Sequence, residues 1–155
     1  GGEFDNLTVA KMHTVNNYII HKLVEAGCRV DDYFACPYVD KQYAQKAADK
    51  GRLVNPEFIV DNHPDLKPNT GMLKKALFYI DAKPEACNIY MLGDRATDVK
   101  MGIKVGGIGI LVESLKTKEL GDVEKVLKLG KNAHIAKDFF DAAKLVCNDA
   151  YSKTL

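Results

Sequence analysis

Apolar positions along the chain change their period several times, and each change marks an element. After Asp5, a candidate N-cap, apolar residues recur at Met12, Val15, Ile19, Leu23 and Ala26. That is the spacing of one helix face, and Gly27 supplies a stop. Tyr33-Phe34-Ala35-Cys36 is a short aromatic and apolar run closed by Pro37, which predicts a buried strand. Residues 38–68 lose this regularity. They are polar, carry Pro56, Pro64 and Pro68, and show weak helical character only from Gln42 to Asp49. A long excursion of this kind is expected to carry site residues.

Regular alternation then begins. Met72, Leu73, Ala76, Leu77 and Ile80 mark one face of a helix opened near Asn69 or Thr70. Ile89-Tyr90-Met91-Leu92 is a continuous apolar strand running into Gly93-Asp94. A helix follows from about Thr97 to Val105, ended by Gly106-Gly107, and Ile108 to Val112 is the next strand. The pattern predicts a helix from about Leu120 to Leu129, an edge strand at Ala133 to Ala136, and a last helix packing through Phe139, Phe140, Ala143, Val146 and Cys147. Strands alternating with helices imply an α/β fold, a doubly wound parallel sheet with helices on both faces. Ligands of such sheets bind beyond the strand C-termini, where Asp94 falls.

The chain of 155 residues is read as one domain, 1–155, large enough to bury a core. Its formal charge is only +1, with acids and bases intermixed, so a nucleic-acid partner is disfavoured. Cys28, Cys36, Cys87 and Cys147 are scattered without a CxxC pair, which predicts buried thiols in a reducing, cytoplasmic compartment. No apolar run approaches the ~20 residues that cross a bilayer, so no membrane partner is expected. The chain opens on Gly1-Gly2 rather than Met, from which we expect an N-terminus that was cut or is incompletely represented.

Two segments carry candidate chemistry. In Gly93-Asp94-Arg95-Ala96-Thr97-Asp98 a strand delivers Asp94 to the sheet edge, Gly93 permits a tight turn, and Asp98 follows at a helix start. Two carboxylates so placed suit Mg²⁺, which takes one or two carboxylates with waters and phosphate oxygens. Taken alone, Asp98 reads more readily as a cap or charge on the helix N-terminus. In Asp65-Leu66-Lys67-Pro68-Asn69-Thr70-Gly71-Met72, Lys67 stands just before a helix, where an ammonium can neutralise a phosphoryl group. Taken alone, Lys67 reads as a solvated surface residue. The order Lys-Pro-x-x-Gly-Met, helix, buried strand, Gly-Asp-Arg-x-x-Asp joins the two.

Those motifs, together with Cys36-Pro37, resemble the haloacid dehalogenase (HAD) superfamily of phosphatases over Phe4 to Ser114. The similarity is closest to the branch of histidinol-phosphate phosphatases and D-glycero-D-manno-heptose 1,7-bisphosphate phosphatases. The resemblance implies a Rossmannoid, HAD-like fold and a Mg²⁺-dependent phosphomonoester hydrolase of carbohydrate metabolism or histidine biosynthesis. It implies that Lys67 is catalytic and binds the phosphoryl group, that Asp94 is a catalytic magnesium ligand supported by Asp98, and that Arg95 lies near the substrate.

Departures from the family pattern set further expectations. The Asp-x-Asp nucleophile segment and the second motif have no counterpart, so the sheet is expected to miss its first two strands and the chain alone to be inactive. A missing N-terminal segment is then needed to complete the sheet and supply the aspartyl-phosphate. The structural zinc of many relatives is not expected, because Tyr38 and Asp65 replace ligand types and Cys36 with His63 falls short of four. Leu66 replaces a substrate-contacting Arg of the relatives. The expected substrate is a phosphorylated small molecule, a heptose bisphosphate first and histidinol phosphate second. A non-catalytic HAD-like binding or assembly module and a polynucleotide 3′-phosphatase are the alternatives.

Overall fold

The computed structural model describes residues 9–153, and the predicted cap at Asp5 lies outside them. The chain divides into two compact units, Gly1–Ala76 and Leu77–Leu155. In the first unit, α1 (Val9–Glu25) ends as Gly27 takes a φ of +80°, which lets the Cys28 N–H bond back to the Leu23 carbonyl at 2.9 Å. Its apolar row Val15, Ile19 and Leu23 stays exposed.

Tyr33–Cys36 is not a strand. Its apolar run is of the right kind, but a strand exists only through its ladder, and no ladder partner for it is found among the described residues. The excursion that follows holds more structure than its composition promised. Asp40 caps α2 (Lys41–Ala48) by accepting from the Tyr43 N–H at 2.6 Å. Buried Val39 pairs in parallel with Ile59, and Lys41 meets Asp61 at 3.1 Å. Helix α3 (Gly71–Tyr79) begins where expected.

The second unit is built on three parallel strands in the order β1 (Tyr90–Gly93), β2 (Ile108–Val112) and β3 (Ala133–Ala136). Leu92 pairs with Ile110, and Ile110 with His134. Alternation along β2 divides the core. Leu111 packs with Val99 of α4 (Ala96–Lys104) and with Val126 on one face. Ile110 packs with Ala136 and with Ala142 of α7 (Phe139–Ser152) on the other. Helices on both faces make the sheet doubly wound. Helix α7 is also tied to β1, since the Tyr90 hydroxyl donates to Asp149 at 2.6 Å and Lys153 pairs with the same oxygen at 2.6 Å.

Three expectations are corrected in this unit. The helix predicted over Leu120–Leu129 is the shorter α6 (Asp122–Leu127), and an unpredicted helix, α5 (Leu115–Glu119), precedes it, the two parted where Gly121 turns left-handed at φ +61°. Helix α7 packs through Ala142, Leu145 and Val146, while Phe139 and Phe140 are exposed. Small Ala142 admits the close approach to the sheet that a phenylalanine would block. The four cysteines are free thiols but not buried ones: Cys28 and Cys147 are exposed, and Cys36 and Cys87 lie halfway.

Gly109 marks a tight approach of the sheet to helix backbone, since a Cβ there would lie 2.5 Å from the Val99 carbonyl oxygen. Backbone cannot move aside as a side chain can, so Gly109→Ala should destabilise the fold by about 1–3 kcal/mol. Urea unfolding checks this, and an unchanged midpoint would contradict the packing described.

Candidate active site at the end of the first strand

Strand β1 ends at Gly93, and the chain then leaves the sheet through Asp94 and Arg95 to start α4. This is the C-terminal edge at which parallel sheets bind ligands. Asp94 is exposed there, whereas Asp98, one helical turn on, is 2% exposed. The Asp98 carboxylate accepts the Arg95 backbone N–H at 3.1 Å, satisfying a donor that the helix start leaves open. A Cβ at position 93 would fall on that carboxylate, so only glycine lets Asp98 tuck beneath the turn.

Two buried side chains from beyond β2 hold the turn from the other side. Thr117 of α5 donates its hydroxyl to the Asp94 carbonyl at 2.8 Å and accepts the Ser114 N–H at 3.2 Å. Ser114 in return caps α5 by accepting the Thr117 N–H at 3.1 Å, so the contact is locked by a capping box. Asp122 opens α6 and accepts Nε–H of Arg95 at 2.6 Å and Nζ–H of Lys125 at 2.9 Å. Burial works to raise the Asp122 pKa. The bonds from Lys125, Arg95 and the Ala96 N–H outweigh it and hold the carboxyl below its usual range. Sequence reasoning missed both residues. The Ser-x-x-Thr spacing after a strand was the available signal for Thr117. Asp122 had none, falling in the first turn of a predicted helix, where an acid is ordinary.

Lys67 belongs to the first unit, in a loop that its own bonds define. Asn69 donates to the Asn62 side chain and to the His63 carbonyl, each at 3.0 Å, and the Gly71 N–H reaches Pro64 O at 2.8 Å. Lys67 is exposed on this loop, and its peptide bond to Pro68 is cis. The structure thus gathers Asp94, Arg95 and Asp98 on one turn and sets Lys67 on another.

Nearby in the first unit, the Tyr38 and His63 rings stack with centroids 3.9 Å apart. The Asp65 N–H bonds His63 Nδ1 at 3.1 Å, and the buried Asp65 carboxylate pairs with Lys75. Positions 38, 63 and 65 are therefore engaged with one another and with Lys75.

An exposed and a buried carboxylate supply the hard oxygen donors that Mg²⁺ accepts beside water and phosphate. Among the described residues, no group of three or more His, Cys, Asp or Glu side chains is arranged to hold a metal ion. The donors fit a magnesium ion completed by water and phosphate better than one caged by protein.

A doubly wound parallel sheet presenting paired aspartates at its C-terminal edge is a Rossmann-like arrangement, whose ligands bind at that edge. Residues 66–142 match the family model described as HAD-hydrolase-like. Among solved structures, the chain is similar to D,D-heptose 1,7-bisphosphate phosphatase from B. bronchiseptica complexed with magnesium and phosphate. That likeness has a TM-score of 0.66 at 17% identity, covers 92% of this chain and 66% of the other, and is one of fold. No curated protein sequence matches the chain. The matched segment, just under half of the chain, is similar to the haloacid dehalogenase-like hydrolases, and the shared fold agrees with that similarity.

The lowered Asp122 pKa carries a pH signature. Its folded state binds a proton less readily than the unfolded chain, so the stability it lends is complete above the unfolded value of about 3.9. It is lost as pH falls through the lower folded value. The stability gap between the native chain and Asp122→Asn, followed by urea midpoints from neutral to strongly acid pH, should therefore narrow on the acid side. A constant gap would refute the assignment.

Proposed function

We propose that this chain carries the metal- and phosphate-binding part of a Mg²⁺-dependent phosphomonoester hydrolase. The observation that carries the reading is the exposed Asp94 at the end of β1 with buried Asp98 beneath its turn. In this reading Asp94 is a magnesium ligand, Asp98 supports it, Lys67 binds phosphoryl oxygens and Arg95 contacts the remainder of the substrate. Bound Mg²⁺ would neutralise charge on the phosphoryl oxygens. Buried Asp98 restrains the turn that presents Asp94, and Lys67 adds a cation that needs no reorganisation during transfer.

The nucleophilic carboxylate comes from a segment outside residues 1–155, and those residues alone are inactive. That segment also supplies the strand beside β1, which is an edge strand among the described residues. The chain spans 66% of the length of the solved phosphatase it resembles, which accommodates such a segment. The substrate we favour is a heptose 1,7-bisphosphate, with histidinol phosphate second, hydrolysed in the cytoplasm. Among the described residues no helix is long and apolar enough to cross a membrane. The rival reading is a HAD-like binding module without catalysis.

In the intact protein, Asp94→Asn should abolish magnesium-dependent hydrolysis of p-nitrophenyl phosphate while leaving the unfolding midpoint nearly unchanged. Full turnover by the variant would remove Asp94 from the site. An intact native protein with no phosphatase activity on any phosphomonoester would favour the binding module.

Lys67→Ala should weaken inhibition by orthovanadate about tenfold or more, the scale of one charge-assisted contact. An unchanged inhibition constant would return Lys67 to the solvated surface.

A further inference from the structure

Arg95 is held in an unusual way for a substrate-contacting arginine. Its Nε–H is given to Asp122 at 2.6 Å, and Asp122 is 2% exposed. Its terminal nitrogens make no hydrogen bond among the described residues, and about a third of its side chain is accessible. A free arginine loses much rotamer entropy when it grips an anion, whereas a guanidinium clamped through Nε has met that cost on folding. The plane of the fork is set, and two donors per terminal nitrogen are left for a ligand.

Asp122 faces two cations, Arg95 on one oxygen and Lys125 on the other. Its charge is therefore shared, and Arg95 is not taken up by a one-to-one pair. With Asp94 and Asp98 on the adjoining turn the local charge is not positive, so it is the open edge of the Arg95 fork, with its donors, that suits an anion.

We propose that Asp122 is a positioning residue that orients Arg95 toward a second anionic group of the substrate, distinct from the phosphoryl group being hydrolysed. The proposal rests on the reading of Arg95 as a substrate contact. It deepens that reading by naming the residue that sets the arginine's geometry and the class of substrate that uses it: phosphorylated metabolites with a further phosphate or carboxylate. The break at Gly121 belongs to the device. A continuous helix through 115–127 would not begin again at Asp122, and its first turn would not meet the start of α4.

The test uses the intact phosphatase, with p-nitrophenyl phosphate as the monoanchored substrate and fructose 1,6-bisphosphate as a doubly anionic competitor. Arg95→Ala should raise the competitor's inhibition constant, measured against p-nitrophenyl phosphate turnover, about tenfold. Asp122→Asn should raise the inhibition constant to a similar extent, and the double variant should be no worse than Arg95→Ala alone. Asp122→Glu, which keeps the ion pair and the fold, should show a smaller rise in the same constant. Should Asp122→Asn fail to fold, Asp122→Glu decides the matter, because a shifted carboxylate re-aims Arg95 without removing its partner. An inhibition constant unmoved by both Asp122 variants, with Arg95→Ala still impaired, would overturn the positioning role and leave the Arg95 reading intact. Unimpaired binding in Arg95→Ala would overturn the substrate role of Arg95, and this proposal with it.

Discussion

The carbonyl of Asp94 has left the β1 ladder and precedes the first turn of α4, so neither element supplies its hydrogen bond. A peptide carbonyl that loses water without gaining a donor costs about 1–3 kcal/mol, so a side chain able to supply one is favoured. Thr117 does so, and much of the second unit follows from that one contact. A hydroxyl can reach Asp94 only if α5 starts directly after β2, which Ser114 ensures by capping it. The chain must then break at Gly121 before Asp122 can meet Arg95. The turn bearing Asp94 is thus fixed from beneath by Asp98 and from the side by a segment some twenty residues further on.

Most of the second unit was readable from sequence because its signals are local. Ile108 to Val112 is a short apolar run preceded by Gly106-Gly107, and it is β2 to the residue. Ala133–Ala136 is likewise β3. The segment Tyr33–Cys36 shows the limit of the method. Its pattern is as apolar as that of β1, yet the state of a strand is decided by a neighbour that periodicity does not report. The misplaced face of α7 has a related cause. Two phenylalanines outweigh an alanine in any hydrophobic count, but close helix–sheet packing favours the small side chain, and Ala142 is fully buried.

In the candidate site, residues acting through local geometry were readable and residues acting at a distance were not. Gly93, Asp94 and Asp98 declare themselves by spacing along one turn of chain. Thr117 and Asp122 lie 23 and 27 residues from their partners, and nothing short of the folded sheet brings them together. Asp122 was hidden twice over, since an aspartate on an amphipathic helix reads as solvated surface. Its burial beside two cations separates it from such a residue: a carboxylate removed from water persists only where paired.

The strand order gives the proposed function its physical consequence. Strand β1 carries Asp94 and is partly exposed along all four residues, whereas β2 is buried through its centre. Parallel strands are ordinarily covered on both sides and paired on both edges, so β1 is the place where the sheet is open among the described residues. A parallel strand added there would run about 4.8 Å away and finish at the same edge as Asp94. Its last residues would then stand within one strand spacing of the turn that Asp98, Thr117 and Asp122 hold rigid. In the proposed enzyme, completing the sheet and placing the nucleophile are therefore one event: the hydrogen bonds that close the open edge also set the distance between the attacking carboxylate and the metal-bearing one. Sliding the added strand by one residue would turn its terminal side chain to the opposite face, so the register of that ladder must be right before the site can react.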